Sequence, residues 1–158
     1  MNMIDVFISH SHTDKLLAEA VTQLLRDTID LNGGTVRCTS AYGSDLAIGS
    51  KFAKQLRRDI DASEVVLAIL SESAIASQFC LFELGAAWGL KVPIKPLLAP
   101  GFDGAAVGRP LSDLHFLHWH SETDWIKLIE EIAELTDGDL EDSVIIHGKI
   151  RDFCAPKF

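Results

Sequence analysis

The sequence predicts an α/β domain built on a parallel sheet with helices on both faces. Three observations carry this. Short β-rich apolar runs alternate with stretches of helical periodicity, in the order βαβαβαβ(β)α. The run 65–70 (VVLAIL) is continuously apolar, as in a strand covered on both sides, and does not alternate. The 158 residues are 47% hydrophobic and 23% charged, the balance of one globular domain large enough to bury a core without staples.

Taken in order, Ile4–Ile8 (IDVFI) reads as a buried first strand. Ser11–Asp14 fits a capping box. Leu17, Val21, Leu24, Leu25 and Thr28 then recur at helical spacing, giving a helix of about four turns that Gly33-Gly34 would end. Thr35–Cys38 is a short second strand, and Thr39–Gly49 (TSAYGSDLAIG) a turn-rich loop. Ser50–Asp61 carries Phe52, Leu56 and Ile60 on one helical face. After the strand Val65–Leu70 comes a loop, Ser71–Ser77, and a third helix, Gln78–Leu90. Val92–Ala99 is apolar but contains Pro93 and Pro96; proline lacks the ladder N–H, so an edge or irregular strand is expected. Pro100–Asp113 is rich in Gly and Pro, and Leu114–Trp119 predicts a short strand. Trp125, Leu128, Ile129, Ile132 and Leu135 mark the last amphipathic helix. The remainder, Thr136–Phe158, has no clear period, with one further strand at Val144–Ile146.

Composition narrows the function classes. The formal net charge is −9 and the pI about 5.0, which disfavours non-specific binding to nucleic acid or anionic membranes. The cysteines, Cys38, Cys80 and Cys154, are an odd set with no CxxC, so neither a disulfide framework nor a thiolate zinc site is indicated. No apolar run approaches the roughly 18 residues of a transmembrane helix. The first residues, MNMIDVFIS, lack a basic region and a cleavage site. A cytoplasmic location is expected.

In folds of this class the ligand sits beyond the carboxyl ends of the strands, where the strand order reverses. That directs attention to Ser9–His12, Thr39–Gly49, Ser71–Ser77 and the start of the third helix. Glu83 is the sharpest signal, the only charged residue from Gln78 to Leu90. Leu81, Leu84 and Trp88 are expected to face the core, with Glu83 turned about 100–200° away from them. Phe79, four residues before Glu83, shares its face. A carboxylate beside an aromatic ring on a mostly apolar helix has a partner or a chemical task if it is buried, and is otherwise a surface glutamate or one paired with a nearby Lys or Arg. His10 and His12 alternate with Ser9 and Ser11 after the first strand, which suits ribose or phosphate contacts as well as simple loop capping. Gly43–Lys51 (GSDLAIGSK) fails the phosphate-loop pattern, because five residues separate the glycines and Ser50 precedes the lysine. His115, His118 and His120 complete no recognised metal spacing. Cys80 lies in a first helical turn with no base to activate it and reads as an inert thiol. Arg57, Arg58, Asp59 and Asp61 read as a solvated helix face.

Three segments together resemble the Toll/interleukin-1 receptor (TIR) domain of the bacterial kind. They are VFISHSHTD (Val6–Asp14), CTSAYGSDLAIGSKF (Cys38–Phe52) and SEVVLAILSESAIASQFCLFELGAAWG (Ser63–Gly89). The resemblance implies a flavodoxin-like three-layer sandwich with about five parallel strands over residues 1–136. Residues 137–158 are then an extension that packs on the domain or makes an assembly contact. It implies cleavage of the nicotinamide–ribose bond of NAD+, as substrate and not cofactor, with the family's catalytic glutamate falling on Glu83. Phe79 takes the place of the tryptophan frequent in that motif. By position, Phe7, Ser9, His10, Ser11, Phe79 and Cys80 are the substrate-binding set, and no metal is implied. Tyr42, Gly43, Asp45, Leu46 and Gly49 belong to the family's BB loop, which moves as subunits pack. Similarity to stand-alone antiphage TIR proteins, such as those of Thoeris systems, implies self-association and a nucleotide product read by a separate effector. The alternatives are a non-catalytic TIR interaction module and a nucleoside deoxyribosyltransferase-like enzyme.

Overall fold

The computed structural model describes residues 4–38 and 50–156, with backbone alone at 50–53. The expected loop 39–49, its BB-loop residues and the side chain of Phe52 lie outside the described residues. The elements are β1 (Ile4–Ser9), α1 (Lys15–Thr28), β2 (Ile29–Asp30), β3 (Thr35–Cys38), α2 (Ser50–Asp61), β4 (Ser63–Leu70), α3 (Glu72–Ala76), α4 (Gln78–Gly89), β5 (Ile94–Leu98), β6 (Leu117–His118), α5 (Glu122–Thr136), β7 (Asp139–Leu140) and α6 (Ser143–Cys154).

Five parallel strands form the central sheet in the order β3-β1-β4-β5-β6. The order reverses between β1 and β4, whose register runs from Ile4 opposite Ser63 to Ser9 opposite Ala68. Every β4 residue from Val65 to Leu70 is buried, as its unbroken apolar run required. One face packs Val6, Ile8, Val65, Leu67 and Ile69 against α1, α5 and α6. The other packs Phe7, Val66, Ala68 and Leu70 against α2 and α4. Each large apolar side chain so enclosed contributes about 1.5–3 kcal/mol of burial.

Several expectations are corrected. The first helix stops at Thr28, before the glycines, because Ile29–Asp30 leaves it to pair antiparallel with Leu140 and Asp139. Residues 72–76, expected as loop, form α3, capped by the Ser71 hydroxyl, which accepts from the Ala74 N–H at 3.0 Å. The proline-bearing strand is internal, between β4 and β6. The ladder to β6 begins only at Leu97, so Pro96 loses no bond on that side. The strand expected at Leu114–Trp119 shrinks to Leu117–His118. Helix α5 is not the last. Val144–Ile146, expected as a strand, opens α6, whose Ile146, Ile150 and Cys154 enter the core at helical spacing. Phe153 there packs against Trp119 and Trp125, with ring centroids 5.0 and 4.8 Å apart. Asp59 is buried, not solvated; it pairs with Arg37 at 3.3 Å, although burial still pushes its carboxyl up.

Candidate functional site

The site is built where the strand order reverses. β1 delivers Ser9, His10 and Ser11 to the carboxyl edge of the sheet, all three buried. β4 ends at Leu70, so Ser71 arrives beside them. Helix α4 begins seven residues later, its first turn closed by the Ser77 hydroxyl accepting from the Cys80 N–H at 3.2 Å. One helical turn on stands Glu83.

Glu83 is 0% exposed. The Ser9 hydroxyl donates to Glu83 Oε2 at 2.7 Å, across 74 residues of sequence. Glu83 Oε1 is buried and has no hydrogen-bond partner among the described residues. Burial raises the Glu83 carboxyl from the ordinary 4.5 to about 8, and the Ser9 bond opposes that rise. A group so placed holds its proton at rest and yields it when positive charge comes near, because an opposite charge favours the ionised form.

The helix phase differs from expectation. The buried face of α4 is Cys80, Glu83, Leu84 and Ala87. Leu81 and Trp88, expected in the core, are 46% and 71% exposed. The small Ala87 and the thiol of Cys80 let the helix lie close to the sheet, and that stripe carries Glu83 inward with it.

Around this carboxylate, Phe79 is half-buried against the α2–α4 core. Phe7 is fully enclosed, two residues before the last strand contact with β4. Burial lowers the His10 imidazole below its ordinary 6.5, while its Nδ1 lies 3.4 Å from the Ile8 carbonyl. Burial raises the Cys80 thiol, and the charges of Glu83 and Asp14 add to that, so this sulfur is not a ready thiolate.

Asp14 is the residue that sequence reasoning placed only as part of a helix cap. Its Oδ2 accepts from the Ser11 hydroxyl at 2.7 Å and from the Ser71 hydroxyl. The capping-box expectation is therefore only half met. The Ser11 side chain bonds the carboxylate and not a backbone N–H, and a short 3₁₀ turn precedes α1. Asp14 ties the segment after β1 to the segment after β4, on either side of the reversal point. Serine and aspartate 57 residues apart gave no sequence signal of this contact.

The histidines do not assemble. His118 Nδ1 lies 3.1 Å from Asp124, and His120 Nδ1 lies 3.0 Å from the Cys154 carbonyl. Among the described residues, no group of three or more His, Cys, Asp or Glu is placed to hold a metal ion, and no helix is long and apolar enough to cross a membrane.

Comparison with known proteins agrees with this architecture. The family model for the TIR domain matches residues 6–133. The uncharacterized protein YddK of Bacillus subtilis is 28% identical over 137 residues, 87% of this chain and 51% of that protein, so the chain spans about half the length of that relative. Among solved structures, the TIR domain of the Toll-related receptor TRR-2 from Hydra magnipapillata is similar in fold, with a TM-score of 0.61 and 21% identity. That likeness covers 82% of this chain and 98% of that one.

Proposed function

Because the chain belongs to the TIR-domain family, and because its reversal-point carboxylate is buried against a single hydroxyl, we propose that it cleaves the bond between nicotinamide and ribose in NAD+. One observation carries the reading: Glu83 is wholly buried, held at Oε2 by Ser9, with Oε1 left without a partner among the described residues. An unpaired buried carboxylate costs several kcal/mol, and such groups concentrate at working sites.

The chemistry needs only one carboxylate. A glycosidase uses two because an alkoxide leaving group must be protonated. The nicotinamide of NAD+ is cationic and departs as a neutral ring, taking the bonding electron pair with it. The positive charge passes to the ribose as an oxocarbenium-like centre. The cationic nicotinamide ring, once bound, favours the ionised form of Glu83, whose proton passes to solvent; the carboxylate then accepts ribose hydroxyls and offsets the growing charge. Ser9 fixes the carboxylate's orientation, and Phe79 walls the pocket. His10, held neutral by burial, and Ser11 line the ribose and phosphate side. Water attacking the cation gives ADP-ribose and releases a proton. An internal hydroxyl or adenine nitrogen gives a cyclic isomer, and an external nucleophile a conjugate. NAD+ is the substrate, and no further cofactor enters the scheme.

The resemblance of Val6–Asp14 and Ser63–Gly89 to bacterial TIR enzymes supports a place in antiphage signalling, with the nucleotide product read by a separate effector in the cytoplasm. TIR domains commonly self-associate, so the assay uses concentrated protein. NAD+ is incubated with the wild-type chain and with Glu83→Gln, and products are resolved by chromatography and mass. Nicotinamide release by the wild type alone supports the enzyme. Equal release by both overturns the role of Glu83, and release by neither favours a non-catalytic interaction module.

A further inference from the structure

The amino ends of the strands, at the edge of the sheet away from Glu83, gather carboxylates of their own. Asp5 on β1 and Glu64 on β4 lie between the paired positions Ile4–Ser63 and Val6–Val65, so they are neighbours across the two central strands. Like charges set side by side in this way repel. Asp5 is buried and Glu64 exposed. Burial first, and then the charge of Glu64, push the Asp5 carboxyl above its ordinary 3.8, while the Thr35 N–H opposes that rise. Asp5 Oδ2 is enclosed and has no hydrogen-bond partner among the described residues. A Cβ at Gly34 would stand 1.2 Å from that oxygen, so the bare glycine makes room for it.

Asp5, Gly34 and Glu64 all border a cavity of about 550 Å³. Its remaining walls are the turn after β2 and the end of α5 with Asp137. Asn32 ties these walls together: its Nδ2 donates to the Asp137 carbonyl at 3.3 Å and to Asp139 Oδ2 at 3.2 Å. Asp137 is the third carboxylate on the cavity, and Leu31 and Leu135 give it apolar surface. No lysine, arginine or histidine lines it. Among the described residues, none of the three carboxylates forms an ion pair. A buried carboxyl with an orphan oxygen, beside two acids and no counter-charge, is short of a cationic partner.

We propose that this cavity binds an aliphatic oligoamine, with one ammonium between Asp5 and Glu64, a second at Asp137, and the methylenes between them on Leu31 and Leu135. The walls select this class. Three acids without a counter-ion call for a cation, and ammonium N–H groups donate charge-assisted hydrogen bonds to carboxylate oxygens. A bare metal ion fits poorly. Among the described residues no three His, Cys, Asp or Glu converge to hold one. The volume also falls in the range of small-molecule sites, roughly 300–1,000 Å³, whereas a calcium or magnesium ion draws its oxygens to about 2.0–2.6 Å. Asp5 stands four residues before Ser9 on β1, roughly 13 Å along the strand, so this site is distinct from the Glu83 pocket. It does not rest on NAD+ cleavage.

Spermidine titrated into the full chain by calorimetry tests this, at about 0.15 M salt so that diffuse attraction to an acidic chain is screened. Saturation at one spermidine per chain is expected. At about a hundred times its dissociation constant, spermidine should raise the melting midpoint by about 5–10 °C. Asp5→Asn and Glu64→Gln should each weaken binding at least about tenfold, the loss expected for a hydrogen bond to a charged group. Asparagine keeps an acceptor for the Thr35 N–H, Glu64 is exposed, and a cooperative melt without spermidine checks that both variants fold. Glu72→Gln removes one exposed charge at the opposite edge of the sheet, at the start of α3, and should leave the affinity unchanged. No saturable binding up to about 10 mM overturns the proposal, since weaker association is no site. So does a Glu72→Gln variant that loses as much affinity as Glu64→Gln, which marks a diffuse charge effect. Displacement of spermidine by an equal concentration of Mg2+ also overturns it, in favour of a metal site.

Discussion

Replacing Glu83 by Gln removes the buried ionisable carboxyl while keeping shape and an acceptor for the Ser9 hydroxyl. The folded protein holds the Glu83 proton up to about pH 8, whereas the unfolded chain gives it up near the ordinary 4.5. Between those values the folded state binds more protons than the unfolded one, so stability falls as pH rises. At 1.36 kcal/mol per tenfold change in acidity, the full effect is about 5 kcal/mol, complete above pH 8 and absent below 4.5. Glutamine carries no such term. The variant and wild type are expected to melt together near pH 5. The variant's advantage then widens with pH and levels off above 8. For a domain of this size each kcal/mol moves the midpoint by about 2–4 °C, so the gap reaches on the order of 10 °C. Calorimetry or circular dichroism from pH 5 to 9 measures it, and NAD+ cleavage is expected to drop about 10²–10³-fold in the same variant. A melting difference that is flat with pH, or that opens toward acid, refutes the claim that the wild type buries this carboxylate at the cost of stability.

Other outcomes follow from the same geometry. The value of kcat/KM for NAD+ cleavage is expected to climb with pH up to about 8, because the free enzyme must lose the Glu83 proton; the kcat profile should turn at lower pH, since the cationic nicotinamide ring of bound substrate eases that loss. Asp14→Ala breaks the Ser11 and Ser71 hydrogen bonds together and should cost about 1–3 kcal/mol in urea unfolding. Gly34→Ala would set a Cβ 1.2 Å from Asp5 Oδ2, so something must shift; about 1–3 kcal/mol of destabilisation is expected, relieved when Asp5 is also replaced by Ala. Truncation after residue 142 removes Ile146, Ile150 and Cys154 from the core and strips Phe153 from Trp119 and Trp125; the shortened chain should lose cooperative unfolding or melt far below the full one.

Where one periodicity dominated, the sequence was legible. VVLAIL could only be a doubly covered strand, and the bounds of α2 follow from Leu56 and Ile60. What remained hidden has physical causes. Helix α6 carries Ile146, Ile150 and Cys154 at helical spacing, but the adjoining exposed Val144 and Ile145 turn its start into a strand-like run. The stop of α1 at Thr28 depends on β7, more than a hundred residues on, and no local signal competes with Gly33-Gly34. At the site, Glu83 stood out by chemistry, as a lone charge on an apolar helix. Its rotation did not, because a helix apolar on every side has no moment to fix its phase. Contacts between distant polar residues, Ser9 with Glu83 and Ser71 with Asp14, follow only from the strand order.

Helix α4 inverts the pattern that folding alone would select. Leu81 and Trp88 lie about 140–160° around the helix from Glu83. Half a turn would bury both apolar side chains and release the carboxylate to water, removing a burial cost of several kcal/mol and gaining about 1.5–3 kcal/mol for each apolar group. The chain instead packs the narrow stripe of Cys80, Leu84 and Ala87 on the sheet. Only that stripe brings Glu83 within reach of Ser9 at the point where the strand order reverses. Departures from binary patterning mark functional sites. Here two departures on one helix have a common origin: holding the carboxylate inside forces Trp88 and Leu81 outside. The buried carboxyl at the reversal point and the exposed apolar side chains of α4 are therefore two consequences of a single helix rotation.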